Sequence, residues 1–234
     1  MGTDIKPLVK KIDDNVQGLK SFHESLVQNA SEKEQDISLQ FPTVYIHNWK
    51  NTGDYEVYIG ESNNIIQRTK QHYDAGIDES KWQHQLFLQD ASLYIIGHEH
   101  FNKSMTLDIE NRLMLYMMSV ERVRKIHNLR GNPQSRYYPD SEMDDIFQMI
   151  WKKLRKDNKE LFPSESAIKD SAVFKASPLH KLTEEQEAVK LKIIQRVFEA
   201  LQTGKRGQLI FIEGEAGTGK TVLNSSTFYE IFAS

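Results

Sequence analysis

Apolar residues recur at three- and four-residue steps from Ile5 through Leu8, Val9, Ile12, Val16, Leu19, Phe22 and Leu26. That spacing predicts one amphipathic helix over 5–29, read either as an arm packed on its own domain or, since the repeat is nearly heptad, as a dimerising element. A polar connector over 29–36 follows. Strict alternation then takes over in TVYIHNW and DYEVYIG, two strands joined by the turn-rich KNTGD, hence a hairpin. Val44 and Ile46 point one way and Tyr45 and His47 the other. In the second strand Tyr55, Val57 and Ile59 oppose Glu56, Tyr58 and Gly60. With the apolar sets on the core, Tyr45 and Tyr58 emerge on the same open side of the sheet.

A helix starting near Ser62 or Asn63 runs to Gly76 and puts Arg68 and His72 on one face. ASLYIIGHEH supplies a third strand, and Ser104 to about Val123 an apolar helix. NLRGNPQSRYYPDSE reads as a loop, and EMDDIFQMIWKKLRK as a helix with basic residues at its C-terminus. After a linker over 158–181, TEEQEAVKLKIIQRVFEALQTG predicts a helix closed by Gly204. GQLIFIEGEAGTGKTVL predicts a strand, a glycine loop and a helix. The fold class is α+β: a small three-stranded antiparallel sheet flanked by helices over 40–157, a helical N-terminal arm over 1–39, and an incomplete P-loop α/β segment over 182–234.

Composition narrows the classes of function. No apolar run reaches the roughly 18 residues of a membrane helix. The N-terminus lacks the apolar core of a secretion signal, and Lys6 stands where a myristoylation site wants Ser or Thr. Cysteine is absent, which removes disulfides, thiolate metal sites and cysteine nucleophiles. These features imply a cytoplasmic protein without a membrane partner. A net charge of −3 and a pI near 6.3 offer no general attraction for nucleic acid, so a polyanion site must be a local basic patch. Arg68, Lys70 and the KKLRK run (Lys152 to Lys156) are the candidates.

Tyr45, then Tyr58-Ile59-Gly60, then Arg68 ten residues beyond Tyr58 and His72 four further on, resemble the GIY-YIG nuclease pattern over roughly residues 40–150. The resemblance implies a small antiparallel sheet carrying the two tyrosines, a following helix carrying the arginine, and one glutamate on a later helix holding Mg²⁺ or Mn²⁺. Glu110, in LDIENRLM, fits that place. It also implies a late asparagine, assigned to Asn132 with Asn128 as the alternative. The expected activity is endonucleolytic hydrolysis of DNA, with RNA left open. A metal ion stabilises the oxyanion, an arginine fork grips the phosphate, and Tyr45 is assigned as the base with Tyr58 supporting it. The chain departs from the pattern in its first tripeptide, Thr43-Val44-Tyr45, and in the thirteen positions from Tyr45 to Tyr58.

GEAGTGKT satisfies the phosphate-loop pattern. Gly214, Gly217 and Gly219 shape the loop, Lys220 reaches the terminal phosphates of ATP, and Thr221 binds Mg²⁺. LTEEQEAV resembles the glutamine motif of helicases, with Gln186 reading adenine. Together they resemble the opening of a superfamily 1-type helicase similar to the Schlafen-related group. ATP turnover by this chain alone is not expected, and the remainder of a helicase, in the same or another chain, is the implied partner. A nuclease joined to a motor suggests a role in bacterial anti-phage defence or DNA processing. The competing readings are a degenerate nuclease fold that only binds nucleic acid or a protein, an independent ATPase, and a zinc site at His98, Glu99 and His100 with His84 or His72.

Overall fold

Residues 8–13, read by spacing as the start of a helix, form a strand. The computed structural model describes residues 5–128, 140–171, 174, 182–204, 206–215 and 217–233, and the chain divides into two units at Ser164 and Glu165. In the first unit the elements are β1 (Leu8–Asp13), α1 (Val16–Asn29), α2 (Glu32–Leu39), β2 (Thr43–Asn51), β3 (Asp54–Ser62) and α3 (Ile65–Ala75). A 3-10 turn (Trp82–His84) runs into α4 (Gln85–Leu88), and then come β4 (Ser92–Gly97), α5 (Lys103–Met118), β5 (Val123–Ile126) and α6 (Asp140–Asp157). Among the described residues no helix is long and apolar enough to cross a membrane.

The sheet corrects the three-stranded expectation. It has five strands in the order β1-β4-β2-β3-β5, antiparallel throughout except for the parallel pair β3/β5. The expected N-terminal arm therefore belongs to the sheet: β1 pairs with β4 along its whole length. Leu8 and Ile12 suit a strand as well as a helix, and Asn15 breaks the helical reading by capping α1, accepting the Gly18 N–H at 2.8 Å. The apolar helix expected to reach Val123 stops at Met118, and the β-branched end becomes β5.

The predicted hairpin is present. Thr52 and Gly53 both have positive φ, 53° and 94°, the left-handed pair that a two-residue turn between twisted strands requires. Its two faces have different covers. Tyr45, Tyr58, Leu93 and Ile95 pack with Phe22 and Leu26 of α1 and Ile65 of α3. Tyr94, pointing the other way on β4, meets Phe162, which reaches Trp151 of α6 and through it Tyr116 of α5. The face carrying the tyrosines is thus not open but roofed by α1 and α3.

α3 begins at Ile65, two or three residues later than expected, because Asn64 is its cap and accepts the Gln67 N–H at 3.0 Å. Asn64→Ala is expected to lower stability by about 1 kcal/mol, and Asn64→Asp to retain most of it. Urea unfolding midpoints check this.

In the second unit a helix spans Glu184–Gln202, with a capping box between Thr183 and Gln186, and another spans Lys220–Ala233. The strand expected over 208–213 is absent: these residues have no regular structure, and Leu209 and Phe211 are each 81% exposed. An extended segment needs a neighbouring strand to take its N–H and C=O groups, and none is present there among the described residues.

Candidate active site

The register of the hairpin sets Tyr45 opposite Gly60 and His47 opposite Tyr58, so all four face α3. A phenol at Tyr45 fits only because residue 60 has no side chain. A Cβ there would come within 2.5 Å of Tyr45 Oη and 2.6 Å of Cζ. α3 buries Ile65, Thr69, His72 and Tyr73, and this stripe aims His72 and Arg68 at the same phenol. Tyr45 Oη lies 3.0 Å from His72 Nε2, and Arg68 Nε donates to Tyr45 Oη at 3.3 Å. The Tyr45 and Tyr58 rings stack 6.1 Å apart. Trp82 closes over them, 4.4 Å from Tyr58 and 5.2 Å from His72 between ring centroids.

Burial governs the protonation states. It raises the Tyr45 phenol above its usual range; Tyr58 adds to the rise and the Arg68 guanidinium offsets part of it. His72 is depressed to about 3, chiefly by burial, with His47 and the Arg68 charge contributing. With both groups neutral, one hydrogen lies between Tyr45 Oη and His72 Nε2, and the ring nitrogen that carries the proton decides which of the two donates. The Gln83 amide lies 3.5 Å from Nδ1, while its Oε1 is buried without a partner.

This carries a pH dependence. His72 takes up a proton more readily when unfolded, near 6.5, than when folded, near 3. Its contribution to stability is therefore present above pH 6.5 and is lost as pH falls from there toward 3, with a slope of up to about 1.4 kcal/mol per pH unit. His72→Gln is expected to flatten the fall in unfolding free energy between pH 6.5 and 4, measured by denaturant titration at each pH.

Four of the expected site residues, Tyr45, Tyr58, Arg68 and His72, are thus together. Glu110 is on α5, 9% exposed within that helix's packed stripe, and α5 covers the opposite face of the sheet. Asn132 lies outside the described residues. Asn128 is described, and its side chain clasps the backbone beside Gly60: Oδ1 accepts from Ile59 N at 3.2 Å and Nδ2 donates to Ile59 O. Just before it, His127 meets Glu56 at 2.7 Å, which pins this segment to the hairpin. Lys70 is exposed on α3. The KKLRK run lies on α6, beyond the sheet, and its Lys153 donates to Pro7 O.

The histidines of GHEH are otherwise engaged. His98 Nε2 meets Ile5 O at 3.1 Å and its Nδ1 accepts the His100 N–H, while His100 meets Glu142 at 2.5 Å. Among the described residues no three His, Asp or Glu side chains gather as a metal cage. The sequence reading missed Trp82, Gln83 and the partnership of His47 with Asp14. Alternation did place His47 on the Tyr45 face, but its partners come from β1, α3 and the 3-10 turn.

In the second unit the glycine loop and the helix at Gln186 do meet. Gln186 Nε2 donates to Thr218 O at 2.8 Å. Gly217 and Gly219 have φ of 85° and 78°. Lys220 Nζ donates to Gly214 O at 2.8 Å and to Glu215 O at 2.7 Å. Thr221 is exposed in the first turn of the helix.

Comparison of the chain with known protein families, curated proteins and solved structures finds no match.

Proposed function

We propose that the first unit is a divalent-metal-dependent endonuclease of the GIY-YIG type, hydrolysing DNA phosphodiester bonds. The observation that carries the reading is the meeting of Tyr45, Tyr58, Arg68 and His72 on one sheet face, with Tyr45 Oη bonded to both α3 residues. Those groups are distant in sequence and have the chemistry that phosphate hydrolysis needs. The guanidinium spends two of its N–H groups, on Tyr45 and on Gln71, and keeps others for phosphate oxygens. The complete burial of Tyr45, 0% exposed against 7% for Tyr58, speaks against the base role first assigned to it, so in this reading Tyr58 takes the water-facing place and Tyr45 orients it from behind. Asn128, fixed at Ile59, takes the place of the late asparagine.

The chemistry calls for Mg²⁺ or Mn²⁺. Beside a phosphate such an ion needs only one or two carboxylates and keeps several waters, so Glu110 can serve as the single protein ligand without a cage. When bound, the ion neutralises charge on the phosphate and the leaving oxygen.

The glycine loop and Gln186 support a proposal that the second unit belongs to an ATP-dependent helicase whose remaining elements complete the ATP site. The combination fits defence against phage or DNA processing. The competing reading, a degenerate fold that only binds nucleic acid or protein, is favoured by the complete burial of Tyr45 and by the approach of Glu110 from the other face.

Nicking of supercoiled plasmid with Mn²⁺ tests the choice. Wild type is expected to nick and Glu110→Ala to be inactive. Equal cleavage by both would mean a contaminant, and inert wild type would favour the binding module.

A further inference from the structure

The reading above gives Tyr58 the water-facing place, yet its ring is covered. Tyr58 is 7% exposed, and the half-buried indole of Trp82 lies nearly flat on it, 4.4 Å between centroids and 17° between planes. The same indole runs parallel to Trp49 at 5.8 Å and stands 5.2 Å from His72. One side chain thus closes off both the phenol and the imidazole of the site.

That side chain sits on a weakly fastened segment. The regular structure of residues 77–89 is the 3-10 turn Trp82–His84, whose start has no side-chain cap, and the four residues of α4. Among the described residues, every hydrogen bond that leaves 77–89 ends on residues 72–76, the last turn of α3 and its cap. Ile77 N–H donates to Asp74 O at 3.4 Å and Asp78 N–H to Ala75 O at 3.3 Å. His84 Nδ1 meets Gly76 O at 2.9 Å, and the Gln83 amide lies 3.5 Å from His72. None of these bonds goes to the sheet. Toward the core the segment offers Trp82 and Leu86, the latter 4% exposed, whereas Ile77, Phe87 and Leu88 are 79%, 52% and 60% exposed. A segment with so few outward bonds and buried side chains opens at a lower free energy than the fold as a whole. Its two ends are pinned: Gly76 N–H donates to His72 O at 3.0 Å, and Ala91 O accepts the Asp14 N–H at 3.0 Å.

We infer that residues 77–89 are a hinged cover over the tyrosine pair, closed at rest by Trp82, and that the DNA strand reaches Tyr58 only after the indole has left it. The inference rests on the nuclease reading and adds to it the control of access. Trp82 takes no part in the bond-making. Opening gives up its stacking on Tyr58 and Trp49, so the closed form dominates without DNA, and the open fraction scales the rate at limiting substrate. A fixed roof that only completes the core would stack in the same way, but it would keep its hydrogen bonds when DNA binds.

Two measurements on the full chain separate cover from roof. In plasmid nicking with Mn²⁺, Trp82→Ala is expected to raise kcat/KM about fivefold or more, because it removes the latch and enlarges the open fraction. Trp82→Phe keeps a ring on Tyr58 and is expected to gain much less. In wild type, uncut DNA in Ca²⁺ is expected to speed amide hydrogen exchange in 77–89 about threefold or more and to leave the strands over 43–62 unchanged. Thermal melts report folding of the variants. A folded Trp82→Ala that nicks no faster than wild type overturns the inference. If that variant does not fold, the exchange measurement decides, and exchange in 77–89 that stays the same or slows with DNA overturns it. A wild type that does not nick removes the nuclease reading and this inference with it; a wild type that nicks while either expected result fails removes this inference alone.

Discussion

Arg68→Lys is expected to cut metal-dependent nicking about 100- to 1,000-fold, the usual scale for losing one preorganised donor at a developing oxyanion, and Arg68→Ala at least as much. The reason is geometric. Arg68 Nε is committed to Tyr45 Oη at 3.3 Å and Nη1 to Gln71 at 3.2 Å, so a planar fork orients the phenol and still presents N–H groups to phosphate. A lysine ammonium is one point; it can reach the phenol or the phosphate but does not hold both in one plane. Stability should change little, because Arg68 is half-exposed on the rim of the site. The measurement is the initial rate of conversion from supercoiled to open-circular plasmid, with binding of uncut DNA measured separately in Ca²⁺. Retention of more than about a tenth of the rate in Arg68→Lys would remove the arginine from the reaction.

Much of this site was legible before any coordinates. Period-two alternation in two short strands was enough to put Tyr45, His47 and Tyr58 on one face, because a single register satisfies both apolar sets. Helical spacing put Arg68 and His72 together for a similar local reason. What local pattern could not show was the partner across the sheet. Leu8 and Ile12 fit either period, and β1 exists because β4, about eighty residues later, supplies its hydrogen bonds. Asp14 follows directly from that strand, so misreading β1 hid the partner of His47. The placing of Asn128 likewise depended on β5, whose four residues are too few to signal a strand, yet they carry Asn128 to Ile59. The expected strand before the glycine loop failed for the converse reason: its apolar pattern is right, but its backbone has no neighbour.

Gly60→Ala is expected to destabilise the first unit by about 2 kcal/mol or more, at the upper part of the range for overpacking a core, and to abolish nicking with it. Inside a strand this exchange would ordinarily be mildly favourable, since alanine loses less chain entropy than glycine. Here the added methyl meets Tyr45 Oη at 2.5 Å, Cζ at 2.6 Å and Tyr58 Cε1 at 3.0 Å. Neither ring can step aside: His47 and His72 flank Tyr45, its hydroxyl is held by His72 and Arg68, and Trp82 lies on Tyr58. Moving the phenol away from residue 60 strains its bond to His72 Nε2, 3.0 Å long, so structure and activity suffer from one cause. A double-mutant cycle isolates that cause. In a Tyr45→Ala background only Tyr58 Cε1, at 3.0 Å, remains close to the added methyl, and Gly60→Ala should then cost much less in urea unfolding. An equal cost in both backgrounds would mean that the glycine answers to the backbone rather than to the phenol, and the close seating of Tyr45 on Gly60 would lose its place in the argument.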